Sequence, residues 1–308
     1  VAASKALRRV VVLGPSHRAA FKGVGLSGCD AYDTPLGTIP VDIHAADRLR
    51  AELDRLKDET SASDAAPSSG VRAALSRVFG SGVGKGGVTC PHVALTPAIE
   101  AAEHSLEMQT PFIGYALARR KHLLPDAHAV ALVPLMVGHV TAEQEAALGL
   151  ALRRAFFAEG ATRDTLVCVS SDFCHWGERF GYQHLFEPGR GSAATAPTRF
   201  DFDPAAQDAA AASISQRIEL MDHDAMAACA AGDADGWAAH FERTQNTVCG
   251  RRPIGAVLRG FLAGAADGSR GPWRASWVHY DQSSACQTAG DSSVSYASAV
   301  LWQAASSE

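Results

Sequence analysis

"VVVLGPSHRAAF", residues 10–21, is a run of β-branched and aliphatic side chains that stops at Gly14-Pro15 and hands over at once to a serine and a histidine. Continuous apolar sequence closed by a turn reads as a short strand buried on both faces, as in the middle of a parallel sheet. Open α/β sheets bind ligands at the carboxyl ends of their strands. His17 is therefore a candidate for chemistry, although a hydrogen-bonded turn residue is the plainer account of one histidine after Gly-Pro. The pattern recurs further on. "AVALVPLMVG" (129–138) reads as a second buried strand, and "TLVCVSSDFCHWG" (165–177) as a third that runs into Asp172, Cys174 and His175.

Helical periodicity fills the gaps between these strands. "IHAADRLRAELDRL" from Ile43 has apolar residues three and four apart, with Asp42 as its cap. "EHSLEMQTPFIGYALARR" (103–120) starts acidic and ends basic, as the helix dipole prefers. "TAEQEAALGLALRRAFF" (141–157) opens on a Thr cap. Further helices are expected at about 213–230, at 234–244 and from Pro253, and the chain closes on two strands, "ASWVHYDQ" and "SVSYASAVLWQ". "CDAYDTPLGTIPVD" (29–42) reads as a loop with brief strands. Strands alternating with helices predict one α/β domain over residues 1–308. Low-complexity insertions at about 58–92, around a helical piece at 71–79, and at 186–212 decorate that domain without dividing it.

Composition narrows the function classes. Of 308 residues, 47% are hydrophobic and 20% charged, ordinary values for a globular protein of enzyme size. A net charge of −5 is no footprint for nucleic acid or an anionic membrane surface. No apolar run approaches the ~20 residues of a membrane-spanning helix, so neither nucleic acid nor membrane insertion is expected. The seven cysteines are scattered without CxxC pairs, which speaks against a disulfide framework or a four-cysteine zinc site. A reducing cytoplasm suits them, and the first fifteen residues lack the apolar stretch and cleavage site of a signal peptide.

Several polar residues stand where chemistry is done, and each has a bland account. Asp172 and His175 can be ligands or parts of a strand-end turn. Cys249, in "NTVCGRRPIG", precedes a helix and two arginines, a setting that draws a thiol toward thiolate; a buried inert thiol is the alternative. His104 and Glu107 are i and i+3 on one expected helix face, a spacing that also suits a charge pair at a helix start. Arg251 and Arg252 can bind an anion through guanidinium forks or lie on a solvated helix end. Spacing alone leaves these alternatives open.

In their order, "GPSH", "EHSLEMQTPF", "VPLMVG", "SSDFCHWGERFGY", "NTVCGRRPIG" and "DSSVSYAS" resemble the Memo family (mediator of ErbB2-driven cell motility) over about residues 8–302. The resemblance implies a three-layer α/β/α sandwich around a central mixed sheet, like the fold of the class III extradiol dioxygenases, non-haem iron(II) enzymes that open catechol rings. It implies that His17 matches a metal histidine, that His175 matches the acid/base histidine, that Cys249 stands where those enzymes carry a glutamate, and that Asp172 lines the same cleft. The family's first metal histidine lies in a Pro-His-Ala-Gly stretch upstream of the block matching "VVVLGPSH". This chain has no such stretch, so the family's N-terminal strand is expected to be missing from it, with His175 as a third ligand beside His17 and Cys249.

Three functions follow from the resemblance. The first is a redox-type protein holding copper or iron(II), with zinc a lesser candidate, because a thiolate in place of a carboxylate softens the site. The second is a binding module for a phosphotyrosine peptide or another small anionic ligand, with Arg251, Arg252, His104 and Glu107 as its contacts. The third is a dioxygenase on a phenolic substrate, with His175 as general base. Whether the chain is an enzyme stays open among them.

Overall fold

The computed structural model describes residues 6–61, 89–123, 129–157, 164–184, 212–262 and 273–303. The chain groups into two compact units, one of residues 1–170 with 252–260 and one of residues 171–251 with 261–308.

The first unit is built on a five-stranded sheet. Its strands are β1 (Arg9–Pro15), β2 (Val24–Leu26), β5 (His92–Ala94), β6 (Ala131–Val137) and β7 (Thr165–Val169). They lie in the order β5-β2-β6-β1-β7. β1 runs parallel to both β6 and β7, and β2 parallel to β5, while β2 meets β6 antiparallel. The sheet is thus mixed, and the α/β class expected from the sequence holds. A small antiparallel hairpin, β3 (Ala31–Thr34) and β4 (Gly37–Pro40), supplies the brief strands expected between 29 and 42.

Because β1 and β6 are central, both of their faces need cover, which is why they read as unbroken apolar runs. Val10, Val12, Leu132 and Met136 share one cluster with Ile39, Leu95 and Leu106. The alternate residues Val11, Leu13, Val133 and Leu135 are buried on the opposite face. There α1 (Ile43–Ser61) packs against β6 and against α5 (Ala142–Phe157). Asp42 caps α1 through the Ala45 N–H at 2.9 Å, as its position predicted.

The expected helix over 103–120 is not continuous. α2 (Pro97–Ala102) ends at Glu103, whose backbone is extended (φ −100°, ψ 131°). One turn, α3 (His104–Glu107), follows, and then α4 (Thr110–Leu123). The cause lies at Pro111, which has no N–H for the Glu107 carbonyl; the Thr110 hydroxyl donates to that oxygen instead, at 2.9 Å. Most of the two expected insertions, and all of 71–79, lie outside the described residues. At the described margins of the first, α1 runs on to Ser61 and β5 begins at His92.

The second unit carries a three-stranded sheet of β8 (His175–Trp176), β9 (Trp273–Gln282) and β10 (Ser293–Gln303), in the order β8-β10-β9. The stretch 165–177 therefore gives two strands in different sheets, where one was expected. Two helices accompany this sheet, α6 (Ile214–Ala230), with Ser213 and Gln216 forming a capping box, and α7 (Ala234–Thr244). The helix expected from Pro253 is α8 (Arg251–Val257), which widens into a π-turn over Leu258–Leu262. No helix among the described residues is long and apolar enough to cross a membrane.

In the first unit, α5 and the π-turn touch backbone to backbone. A Cβ on Gly149 would meet the Ala256 carbonyl oxygen and would lie 2.7 Å from the Gly260 nitrogen. Backbone cannot yield as a flexible side chain can. Gly149→Ala is expected to lower the unfolding free energy by about 2–3 kcal/mol, whereas Gly290→Ala, where a Cβ would meet nothing nearer than Thr288 Oγ1 at 3.8 Å, should change it by less than about 1 kcal/mol. Urea titration of the two variants side by side checks this.

Candidate functional site

Gly14 lies one residue before the buried end of β1, and its missing side chain is what admits α3. A Cβ there would stand 2.6 Å from Ser105 Oγ and 3.0 Å from Leu106 Cδ2. Ser105 Oγ uses the space to donate to the Pro15 carbonyl at 2.7 Å. The chain then turns, and the side chain that His17 meets is Glu103. His17 Nδ1 lies 2.8 Å from Glu103 Oε1, and the His17 backbone N–H donates to Glu103 Oε2 at 2.6 Å.

Glu103 is 1% exposed and accepts far more than one bond. The backbone N–H groups of Arg18, His104 and Ser105 also donate to it, at 3.1–3.2 Å. Burial by itself would push this carboxyl up. The hydrogen bonds from the His17 ring, from the His17 and Ser105 backbones and the charge of His17 outweigh burial, and hold it at about 2. An ionised carboxylate is an acceptor only, so His17 Nδ1 carries a proton, and in the neutral form of the ring the lone pair resides on Nε2.

His104 completes the cluster. Its ring stacks on His17 with centroids 4.5 Å apart and planes 15° from parallel, and its Nδ1 lies 3.5 Å from Glu103 Oε1. One ligand atom from each of His17, Glu103 and His104 falls within 4.8 Å of the other two, and both histidines are exposed. Glu107, the residue with which His104 was expected to share a face, is exposed one turn on. Glu103 is not among the candidates that the sequence brings forward. Its partner lies 86 residues away, and its own surroundings in the chain look like an acidic helix start.

A second group of polar residues gathers in the second unit. Cys249 Sγ accepts the Asp172 backbone N–H at 3.1 Å, and Ser171 Oγ accepts the Gly250 N–H at 2.9 Å. His175 is fixed at both ends. Its backbone N–H donates to Thr247 Oγ1 at 2.7 Å, and its Nδ1 lies 3.0 Å from the Phe173 carbonyl and 3.2 Å from that of Thr247. Two carbonyls require a donor, so Nδ1 is protonated and Nε2 faces Asp172 Oδ2 at 3.6 Å. The hydrogen bond to Asp172 raises the His175 pKa, against the lowering effect of burial.

Cys249 does not follow the expected drift toward thiolate. Burial raises its pKa by more than the hydrogen bond from the Asp172 N–H lowers it, and the Asp172 carboxylate adds a lesser rise. Arg252 NH1 donates to the buried Glu145 at 2.7 Å, within the first unit. Arg251, in the second unit, holds its guanidinium 5.7 Å from the Phe241 ring centroid.

The residues quoted in these two groups come from stretches that a Memo-like protein family model matches, over residues 1–69 and 88–300. The chain belongs to the Memo family. A memo-1 homolog of Caenorhabditis elegans is 29% identical to it over 308 residues, covering 97% of this chain and 65% of that protein. The human Protein MEMO1 is 26% identical over 294 residues, covering 96% and 75%. A MEMO1 family protein of Schizosaccharomyces pombe is 29% identical, covering 95% and 78%. This Memo-family chain thus spans a little under two thirds of the worm relative and about three quarters of the others.

Proposed function

We propose that this Memo-family chain is a metal-binding protein of redox type, holding copper or iron(II) through imidazole nitrogen that begins with His17 Nε2. The observation that carries this reading is the Glu103 carboxylate bonded to His17 Nδ1. A buried carboxylate behind a histidine fixes the ring, assigns the proton and raises the basicity of the outward nitrogen, as carboxylates do behind metal-bound histidines.

The donor set fits a metal in a particular way. Glu103 already accepts five N–H groups, so it serves as an orienting acceptor and the ligand atoms are imidazole nitrogens. His104 is exposed and stacked on His17, and one of its ring nitrogens lies within 4.8 Å of a ligand atom of His17. Two imidazoles without a carboxylate favour copper over iron(II) in the usual order of divalent affinities. The bound metal supplies one-electron chemistry. The chain supplies orientation through Glu103, and in the second unit a protonatable imidazole, His175, beside Asp172. The resemblance also gives metal-ligand roles to Cys249 and His175, and these enter the test separately.

Anaerobic titration of the metal-stripped protein with Cu(I) and Fe(II) tests the proposal, alongside His17→Ala, His104→Ala and Cys249→Ala. Binding at least about tenfold weaker in His17→Ala is expected, with a smaller loss in His104→Ala. Equal metal content in the wild type and His17→Ala removes the reading. Equal content in the wild type and Cys249→Ala excludes the thiol as a ligand.

The dioxygenase reading is carried by His175, whose Nε2 stands 3.6 Å from Asp172 Oδ2 and whose pKa that neighbour raises. The anionic-ligand reading, a phosphotyrosine peptide included, has to contend with Glu145, which already neutralises Arg252. Metal binding is the reading with the fullest local geometry.

A further inference from the structure

Met108, Phe112 and Tyr115 are 61%, 74% and 55% exposed. Steps of four and three residues place them on one side of a helix, and Met108 itself has helical backbone angles (φ −60°, ψ −22°) leading into α4. Leu36, 53% exposed, flanks this stripe from the β3–β4 turn; its Cβ lies 3.7 Å from where a Cβ on Gly114 would stand. Exposed apolar residues scattered singly need no explanation, but four together mark an interaction surface.

The charges at the ends of the stripe indicate what covers it. Exposed Glu107 lies at the amino end, and exposed Arg119, Lys121 and His122 lie at the carboxyl end. Arg119 continues the same face, with its guanidinium 5.9 Å from the Tyr115 ring centroid. Two such helices side by side in parallel would set like charges together. Antiparallel, each acidic end meets a basic end, and the stripe complements itself.

We propose that this face of α4 is a two-fold homodimer interface, in which Phe112 packs against Tyr115 of a second copy and Tyr115 against its Phe112. In that register Met108 lies opposite Arg119 of the second copy, and Glu107 lies within one residue of the same arginine. Such mutual contact of one patch with itself is what two-fold symmetry requires. Covering Met108, Phe112, Tyr115 and Leu36 on both copies removes on the order of 1,000 Å² from water, the lower end for a specific interface, so a reversible dimer of micromolar strength is expected. This inference is independent of metal binding.

Sedimentation equilibrium of the full chain across micromolar concentrations is the test. The wild type should dimerise. Phe112→Ser, a change at a position exposed enough to leave the fold intact by circular dichroism, should weaken the dimer by about tenfold or more. Arg119→Glu alone and Glu107→Lys alone should each weaken it, and the double exchange should restore it. A wild type that stays monomeric at the highest concentration overturns the proposal, as does a dimer indifferent to Phe112→Ser. Association that the double exchange fails to restore overturns it too, since that marks a different partner face.

Discussion

Glu103→Gln is expected to cost about 3 kcal/mol of folding stability at pH 7, the worth of a carboxyl held at about 2 against an ordinary 4.5. The sign follows from the direction of the shift. A carboxyl whose folded pKa is depressed stabilises fully above its unfolded value, and loses that contribution as pH falls through the folded one. The gap between wild type and variant should therefore be widest above pH 4.5 and narrow steadily toward pH 2. Glutamine keeps the shape but offers one acceptor oxygen where two served, and turns an NH₂ toward backbone N–H groups. Denaturant titrations at several pH values measure the gap. Equal stabilities at pH 7, or a gap indifferent to pH, would show that Glu103 is not the ionised hub its contacts make it. Metal affinity should drop in the same variant by about 10–100-fold, because the His17 ring loses its anchor.

The second large effect is hidden in the wild type by cancellation. Asp222 and His223 are neighbours on α6, both buried, and their pKa values are displaced in opposite senses. Burial lifts the Asp222 carboxyl to about 6, against the hydrogen bonds it receives from Asn246, Ser295 and Tyr280. Burial lowers the His223 imidazole to about 4, where its ring stands edge to face against Tyr280. As pH falls from 6.5 to 4.5, the unfolded chain takes up a proton at position 223 that the folded one refuses, which destabilises. Over the same range the folded chain takes up a proton at position 222 that the unfolded one refuses, which stabilises. Each effect is worth about 2 kcal/mol in that window. The wild type should thus be nearly flat between pH 6.5 and 4.5, Asp222→Asn should lose about 2 kcal/mol on acidification, and His223→Phe should gain about as much. Variants that both track the wild type would sink this account.

Much of the architecture could be read from local pattern, for a physical reason. A central strand such as "VVVLGP" (10–15) is apolar at every position because both its faces are covered, and a helix such as α5 carries its own cap, Thr141, and its own apolar period. These signals act within a few residues, so one chain segment contains them. Where an element depends on a partner far away, local pattern misleads. The acidic start of "EHSLEMQTPF" is indeed a helix beginning, with Glu103 as the cap of α3, but local pattern shows neither that this helix stops after one turn nor that the same carboxylate gathers N–H groups from residues 17 and 18. β2 and β5, three residues each, were not legible because strands so short are defined by their neighbours.

The candidate residues divide in the same way. Residue types and their places, at strand ends for His17, Asp172 and His175 and before a helix for Cys249, were enough to bring them forward, and the order of the motifs was enough to indicate the Memo family. Tertiary structure alone decided what each one touches: that His17 presents Nε2 because Glu103 occupies Nδ1, that His104 turns to His17 while Glu107 lies exposed one turn on, and that the Cys249 thiol is raised toward its neutral form. Protonation and tautomer depend on burial and on groups within a few ångströms, and sequence separation says nothing about either.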